Sequence, residues 1–206
     1  SVVLSPWSAG RTARLSSPPQ TFTNLHDMAN MGQGANSVGK RVDRTFAFID
    51  LSGFTAFMDS EGDRSSVDVI IGFRAVVRRV AGDRGVRVAK FLGDGAMLVG
   101  VEPEPLVETV VEIEACIDAA GSVLPLRAGI ARGWVLLIEG EDHIGDAVNL
   151  ASRLCDTAQP NEVLAPASMV SDLLVNTGHE DLGPHQINGF AEPIDLVRLV
   201  SPDAAR

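Results

Sequence analysis

The chain has 206 residues, 45% of them hydrophobic and 21% charged, with a formal net charge of -10. Such content suits one domain with an apolar core and excludes a disordered chain. A surface this acidic is repelled by a phosphate backbone, which argues against general nucleic-acid binding. A nucleotide would need a local basic cluster or metal ions. No apolar run approaches the roughly 18 residues of a spanning helix, so no direct membrane insertion is expected.

Residues 1–42 are rich in Ser, Pro, Gly, Asn and Thr and hold no sustained period. They read as a flexible leader, with Met28 and Met31 as candidate starts. They lack the continuous apolar core of a signal peptide. RTFAFIDL, 44–51, then reads as a buried strand. It ends in SGFT, a turn that can open a helix, with Ser52 as a candidate cap. A helical pattern follows Gly62, where Val69, Phe73, Val76 and Val80 step by four, three and four. VRVAKFL and AMLVGV form a hairpin about Gly93-Asp94-Gly95, and Gly95 is expected to supply the positive φ of the turn. Pro103 and Pro105 open another helix, with Leu106, Val110, Ile113 and Ile117 on one face.

LRAGIARGWVLLIEG is strand-like, and a helix spans Gly145 to Thr157. A strand at Glu162–Ala165, a short helix at Ala167–Leu174 and strands near His185 and at Ile194–Val200 complete the order. The expected fold is α+β, an α/β sandwich with a split βαβ sheet and helices packed mainly on one face. There is no internal repeat. Cys116 and Cys155 fall in helical patterns and read as reduced, core-packed thiols.

Two carboxylates stand in apolar surroundings. Asp50 ends a strand and Asp94 sits in a hairpin. Each alone suits ordinary turn or capping chemistry. In a split βαβ sheet, however, the first strand and the hairpin are neighbours, so the two carboxylates can converge. Converging carboxylates repel unless a cation separates them, and hard divalent cations prefer oxygen ligands. Two such ions clamp the oxygens of phosphoryl chemistry. The SGFT turn would add helix-start N–H groups, a seat for phosphate. Downstream, Asn149 and Arg153 are four apart and share a helix face, either as an ordinary surface pair or as donors to a phosphate. Asp142 precedes that helix and could accept from an exocyclic amine.

FIDLSGFT, KFLGDGAMLV and DHIGDAVNLASRL, in this order, resemble the class III nucleotidyl cyclase catalytic domain, whose sheet is of the ferredoxin-like palm type. INGFAEPIDLVRLV is similar to the usual end of that family. The likeness covers about residues 43–200 and leaves 201–206 as a tail. It implies that Asp50 and Asp94 bind two divalent metal ions (Mg²⁺ or Mn²⁺), with Leu51 lending a carbonyl. Phe54 and Thr55 would lie in the phosphate-contacting turn. Lys90 and Asp142 match the pair that reads adenine, Asn149 the residue that orients ribose, and Arg153 the one that stabilises transition-state charge. Lys can donate to adenine N1, and Asp can accept from its amine. The implied activity is adenylate cyclase: ATP to 3′,5′-cyclic AMP and pyrophosphate, in cytoplasmic signal transduction. The implied assembly is a head-to-tail homodimer with shared sites.

Some positions depart from the family. Ala131 stands where a histidine is common, Trp134 where some relatives have a phosphate-binding arginine, and Asn188 where a lysine is common. Arg132 is expected to face the other side of its strand from Trp134. The segment 133–142 is short, which bears on the dimer arm. A catalytically weak or inactive nucleotide-binding module is the alternative reading. A diguanylate cyclase is disfavoured, because Gly95 and Ala96 follow Gly-Asp where that class has Glu and Phe. No serine sits in a nucleophile-elbow pattern, which disfavours a triad hydrolase.

Overall fold

The computed structural model describes residues 39–138 and 142–202. The expected leader lies outside them except for its last four residues, three of which already belong to the first strand. In chain order the elements are β1 (Lys40–Leu51), α1 (Phe54–Asp83), β2 (Arg87–Leu92), β3 (Gly95–Gly100) and α2 (Pro103–Ala119). There follow β4 (Leu126–Ile138), β5 (Asp142–Ile144), α3 (Asp146–Thr157), β6 (Glu162–Pro166), β7 (Gly178–His185) and β8 (Ile194–Val200).

The strands form one mixed sheet in the order β2-β3-β1-β4-β6-β8-β7, with β5 paired to β4. β1 lies in its interior, antiparallel to both β3 and β4. The β4–β6 pairing is parallel. Side chains alternate along a strand, so β1 serves both faces. Ala47, Ile49 and Leu51 pack with α1 and α2 in the main core. Phe46 packs on the other face against Ala147 and Ala151 of α3, with Phe48 beside it. Asp50 shares that second face by the same alternation. Two of the three described helices thus cover one side, in keeping with the α+β, palm-type expectation.

α2 forms as its sequence dictates. Pro103 opens it, Glu104 suits the positive end of the helix dipole, and Leu106, Val110, Ile113 and Ile117 are all buried. α1 differs from expectation. It starts at Phe54 and runs through Gly62, which breaks the helical geometry at φ 79° and ψ 175°. Glycine tolerates that conformation, so the helix opened at the SGFT turn joins there to the helical pattern expected after Gly62. Nor does Ser52 cap the helix. Its N–H is taken by the Pro125 carbonyl at 2.8 Å, and left-handed Gly53 stands at the N-cap.

The hairpin also departs from expectation. The positive φ belongs to Gly93, at 68°. Gly95 is needed for another reason: a Cβ there would stand 2.8 Å from the Ile49 carbonyl oxygen and 3.1 Å from an Asp50 carboxylate oxygen. The helix expected over Ala167–Leu174 shrinks to a 3₁₀ turn at Ala167–Met169. Arg132 and Trp134 line one cleft with Asp43, on the same side of β4, as a period of two requires.

At Gly129 of β4 the backbone of α3 approaches the sheet closely. A Cβ there would collide with the Cys155 nitrogen and the Ala151 carbonyl, both backbone atoms that cannot step aside. Gly129→Ala should therefore lower stability by about 3 kcal/mol, at the upper end of overpacking costs. Urea unfolding followed by circular dichroism measures it.

Candidate active site

The backbone register brings the sequence candidates together in two groups. Asp50 is paired across the sheet with Gly95 on β3 and with Arg127 on β4. Asp94 immediately precedes Gly95, and its carbonyl accepts the Leu51 N–H at 3.3 Å. The ends of β1 and the hairpin are therefore stitched together. The Leu51 side chain points into the core, 2% exposed, leaving its backbone as the part available to a ligand.

Arg127 completes this corner and was absent from the sequence candidates. Its Nη2 and Nε both donate to Asp50 Oδ2, at 2.7 and 3.0 Å. Its Nη1 reaches the Asp156 carbonyl on α3 at 3.4 Å. Asp50 strengthens the hold of the guanidinium on its proton. Sequence did carry one signal for it: a charge inside the apolar strand LRAGIA, like Asp50 in its own strand. What was missing was the β1–β4 register that sets the two side by side.

Burial pushes the Asp94 carboxyl above the usual carboxylate range, and the nearby Asp50 adds to the rise. A backbone hydrogen bond and Arg127 pull the other way. Two carboxylates close enough to disturb each other, with one destabilised as an anion, form a donor set suited to a hard cation. No cluster of three or more His, Cys, Asp or Glu side chains suited to a metal occurs among the described residues. Asp50 and Asp94 would thus need further oxygens from backbone, water or a phosphate ligand.

The start of α1 lies next to this corner in sequence. No side chain caps it, its first turn carries no acidic residue, and the buried Ser52 hydroxyl has no hydrogen-bond partner. The N–H groups of a helix start are a natural site for an anion. Thr55 is exposed there, whereas Phe54 is partly buried against the main core.

The second group lies around a cavity of about 410 Å³ lined by Phe48, Ala89, Lys90, Met97, Asp142, His143 and Val148, among others. Lys90 Nζ and Asp142 Oδ1 stand 3.6 Å apart across it. They come from β2 and β5, strands that do not pair with each other. A register shift between Val88 and Lys90 accompanies this arrangement, and such a bulge re-aims side chains. Lys90 therefore meets Asp142 and not Asp94, four residues along its own chain. The apolar floor and opposed charges suit a flat, hydrogen-bonding ligand.

Asn149 and Arg153 share the exposed face of α3, while Ala147, Ala151, Leu154 and Cys155 form its buried face. Arg153 Nη1 is 3.7 Å from Asp156 Oδ2, an exposed pair one turn apart. Neither the cavity nor its rim includes Asp50, Asp94 or Arg153. Cys155 is buried, donates to the Arg127 carbonyl at 3.7 Å, and its thiol is pushed up to about 12, chiefly by burial. Both Cys155 and the partly buried Cys116 are free thiols, as expected.

Comparison with known proteins follows the same lines. No protein-family model matches the chain. An uncharacterized protein of Mycobacterium tuberculosis is 36% identical over 159 residues, covering 77% of this chain and 42% of that protein. A pH-sensitive adenylate cyclase of Mycobacterium tuberculosis is 32% identical over 161 residues, covering 75% and 40%. This chain thus spans about two fifths of the length of these curated relatives. Among solved structures, the adenylyl cyclase CyaB from P. aeruginosa superposes with a TM-score of 0.70 at 22% identity, covering 79% of this chain and 95% of that one. The guanylate cyclase domain of RhGC from Catenaria anguillulae, in complex with GTP, gives 0.68 at 19%, covering 79% and 98%.

The fold is therefore that of the palm-type cyclase domains, adenylyl and guanylyl alike. Together with the sequence relatives named adenylate cyclase, the fold is that of the class III nucleotidyl cyclase domains. No helix among the described residues is long and apolar enough to cross a membrane.

The raised Asp94 carboxyl makes a prediction for the metal-free protein. The folded state holds this proton more tightly than the unfolded chain does, so the group's contribution is fully present in acid and is lost as pH rises through the raised value. Asp94→Asn should then be more stable than wild type at pH 7 in chelator. The gap should close as pH falls below the ordinary aspartate range. Urea titrations across pH measure it, and equal stability at pH 7 would contradict the reading.

Proposed function

We propose that this domain is an adenylate cyclase, converting ATP to 3′,5′-cyclic AMP and pyrophosphate at sites shared between two copies of the chain. The observation that carries the reading is the Lys90–Asp142 pair, 3.6 Å apart at an apolar-floored cavity. Adenine offers N1 as an acceptor and N6–H as a donor on one edge. Lys90 donates to the first and Asp142 accepts from the second. Guanine presents the reverse pattern, with O6 as acceptor and N1–H as donor. Phe48, Met97 and Val148 supply apolar contact to the ring.

The reaction is in-line attack of the ribose 3′-oxygen on the α-phosphorus, and the protein's part is positioning and charge stabilisation. Asp50, Asp94 and the Leu51 carbonyl would hold two divalent cations. These ions, when bound, make the 3′-hydroxyl more acidic and neutralise the triphosphate. The uncapped start of α1, at Phe54 and Thr55, receives phosphate oxygens through its N–H groups. Asn149 orients the ribose. Arg153, exposed and paired among the described residues with an exposed Asp156, exchanges that weak partner for the charge developing on the α-phosphate.

Asp50 and Asp94 do not line the cavity that Lys90 and Asp142 share, which supports a head-to-tail pairing of two copies. One copy would contribute the aspartates, and its partner Lys90, Asp142, Asn149 and Arg153. Two-fold symmetry then makes two equal sites. Trp134, 62% exposed where some relatives have a phosphate-binding arginine, favours a second reading as a weak or inactive nucleotide-binding module.

Incubation of purified protein with ATP and Mn²⁺ or Mg²⁺ decides between them. Cyclic AMP is expected, and its absence at high protein concentration would favour the binding module. Lys90→Ala and Asp142→Ala should each raise KM for ATP about tenfold, the equivalent of ~1.4 kcal/mol for one lost base contact. Both should also narrow the preference for ATP over GTP. A variant with unchanged selectivity would remove its residue from base recognition.

A further inference from the structure

The Asp50–Asp94 corner already contains a cation. Arg127 gives two hydrogen bonds to one Asp50 oxygen, and its charge also reaches Asp94. It is the sole cationic partner found for Asp50 among the described ion pairs. The guanidinium is 30% exposed and the carboxylate 26%, so neither is sealed away from an arriving ion.

Arg127 is also tethered. Its backbone is paired with Asp50 on one side and Glu162 on the other, and its carbonyl accepts from Cys155. Its Nη1 keeps a separate contact with the Asp156 carbonyl. The side chain therefore has an acceptor to rest on when its bonds to Asp50 loosen. Two carboxylates against one guanidinium leave a net negative charge, enough to admit a divalent ion but with part of its attraction already answered.

We infer that Arg127 is the resident counter-ion of Asp50: it aligns the carboxylate and competes with the divalent cation for its charge, and so sets the affinity of the cation site. The inference rests on the proposed cyclase reading, since it assigns Asp50 to a cation. Arg127 is a positioning residue. It acts on the reaction through Asp50, not by touching substrate.

Charge and geometry can be separated by substitution. Arg127→Met and Arg127→Gln remove the competing charge, whereas Arg127→Lys keeps it and loses the fork. Mn²⁺ binding to the full chain without nucleotide is read from the loss of the free-ion electron paramagnetic resonance signal. Thermal unfolding checks that each variant is folded. The neutral variants should bind Mn²⁺ about tenfold more tightly than wild type, and Arg127→Lys within about threefold of it. Turnover should nonetheless fall in all three, because Asp50 loses its alignment. A purely structural role would leave Mn²⁺ affinity unmoved.

Unchanged or weaker Mn²⁺ binding in a folded neutral variant overturns the inference and leaves the cyclase reading standing. Absence of Mn²⁺ binding in wild type, or undiminished binding in Asp50→Asn, overturns both. Should the neutral variants not fold, the native chain still answers. Mg²⁺ should shift the Arg127 Nε–H nuclear magnetic resonance signal at the same concentrations that shift the amides of Gly93 and Asp94. A stationary Arg127 signal alongside moving turn amides overturns the inference.

Discussion

Two carboxylates held side by side at the end of a sheet form the constraint around which this molecule is arranged. Asp50 and Asp94 are brought together by the antiparallel pairing of β1 with β3 and by the Leu51–Asp94 backbone bond. Left alone, such a pair is costly, because burial and the neighbouring Asp50 charge both disfavour ionisation of Asp94. Arg127 answers part of that cost by its double contact with Asp50. Gly95 makes the close approach possible, since any side chain there would meet the Ile49 carbonyl and the Asp50 carboxylate. A fold tolerates this corner because its core lies elsewhere. Ile49 and Leu51, on the opposite face of the same strand, anchor β1 to α1 and α2.

The same sheet carries the second group of residues. β5 folds back along β4 and delivers Asp142 to the side of the sheet where the β2 bulge turns Lys90. α3 then follows through Gly145, which packs against Val135 so closely that a Cβ would be 2.9 Å from that side chain. The helix is thereby pressed onto β4, and its outer face is left to Asn149 and Arg153. Position, not chemical novelty, is what the architecture supplies. Each charged group is ordinary in type, and each is placed by strand register or helix phase.

Much of this was legible in the sequence. The apolar alternation of RTFAFIDL, the Gly-Asp-Gly hairpin and the four-residue step from Asn149 to Arg153 are local patterns, and local patterns survive without coordinates. The cyclase resemblance rested on the same residues. What escaped was non-local or depended on a backbone choice. Arg127 lies 77 residues from Asp50, and nothing short of the β1–β4 register joins them. The roles of Gly93 and Gly95 were exchanged, because a Gly-Asp-Gly turn offers two places for the positive φ and sequence does not choose between them. The SGFT turn was legible as a helix start, but the continuation through Gly62 was not, because a glycine there looks like a boundary while the structure runs through it.

The central claim is that one chain holds two half-sites that become whole only against another copy. Mixing Asp50→Ala with Arg153→Ala tests this most directly, each variant having first been shown to be inactive alone with ATP and Mn²⁺. In the mixed dimer, one of the two sites would regain both a native Asp50 and a native Arg153. Partial recovery of cyclic AMP formation is the predicted result. No recovery, with both variants folded and a mixed dimer demonstrated, would contradict the shared-site account.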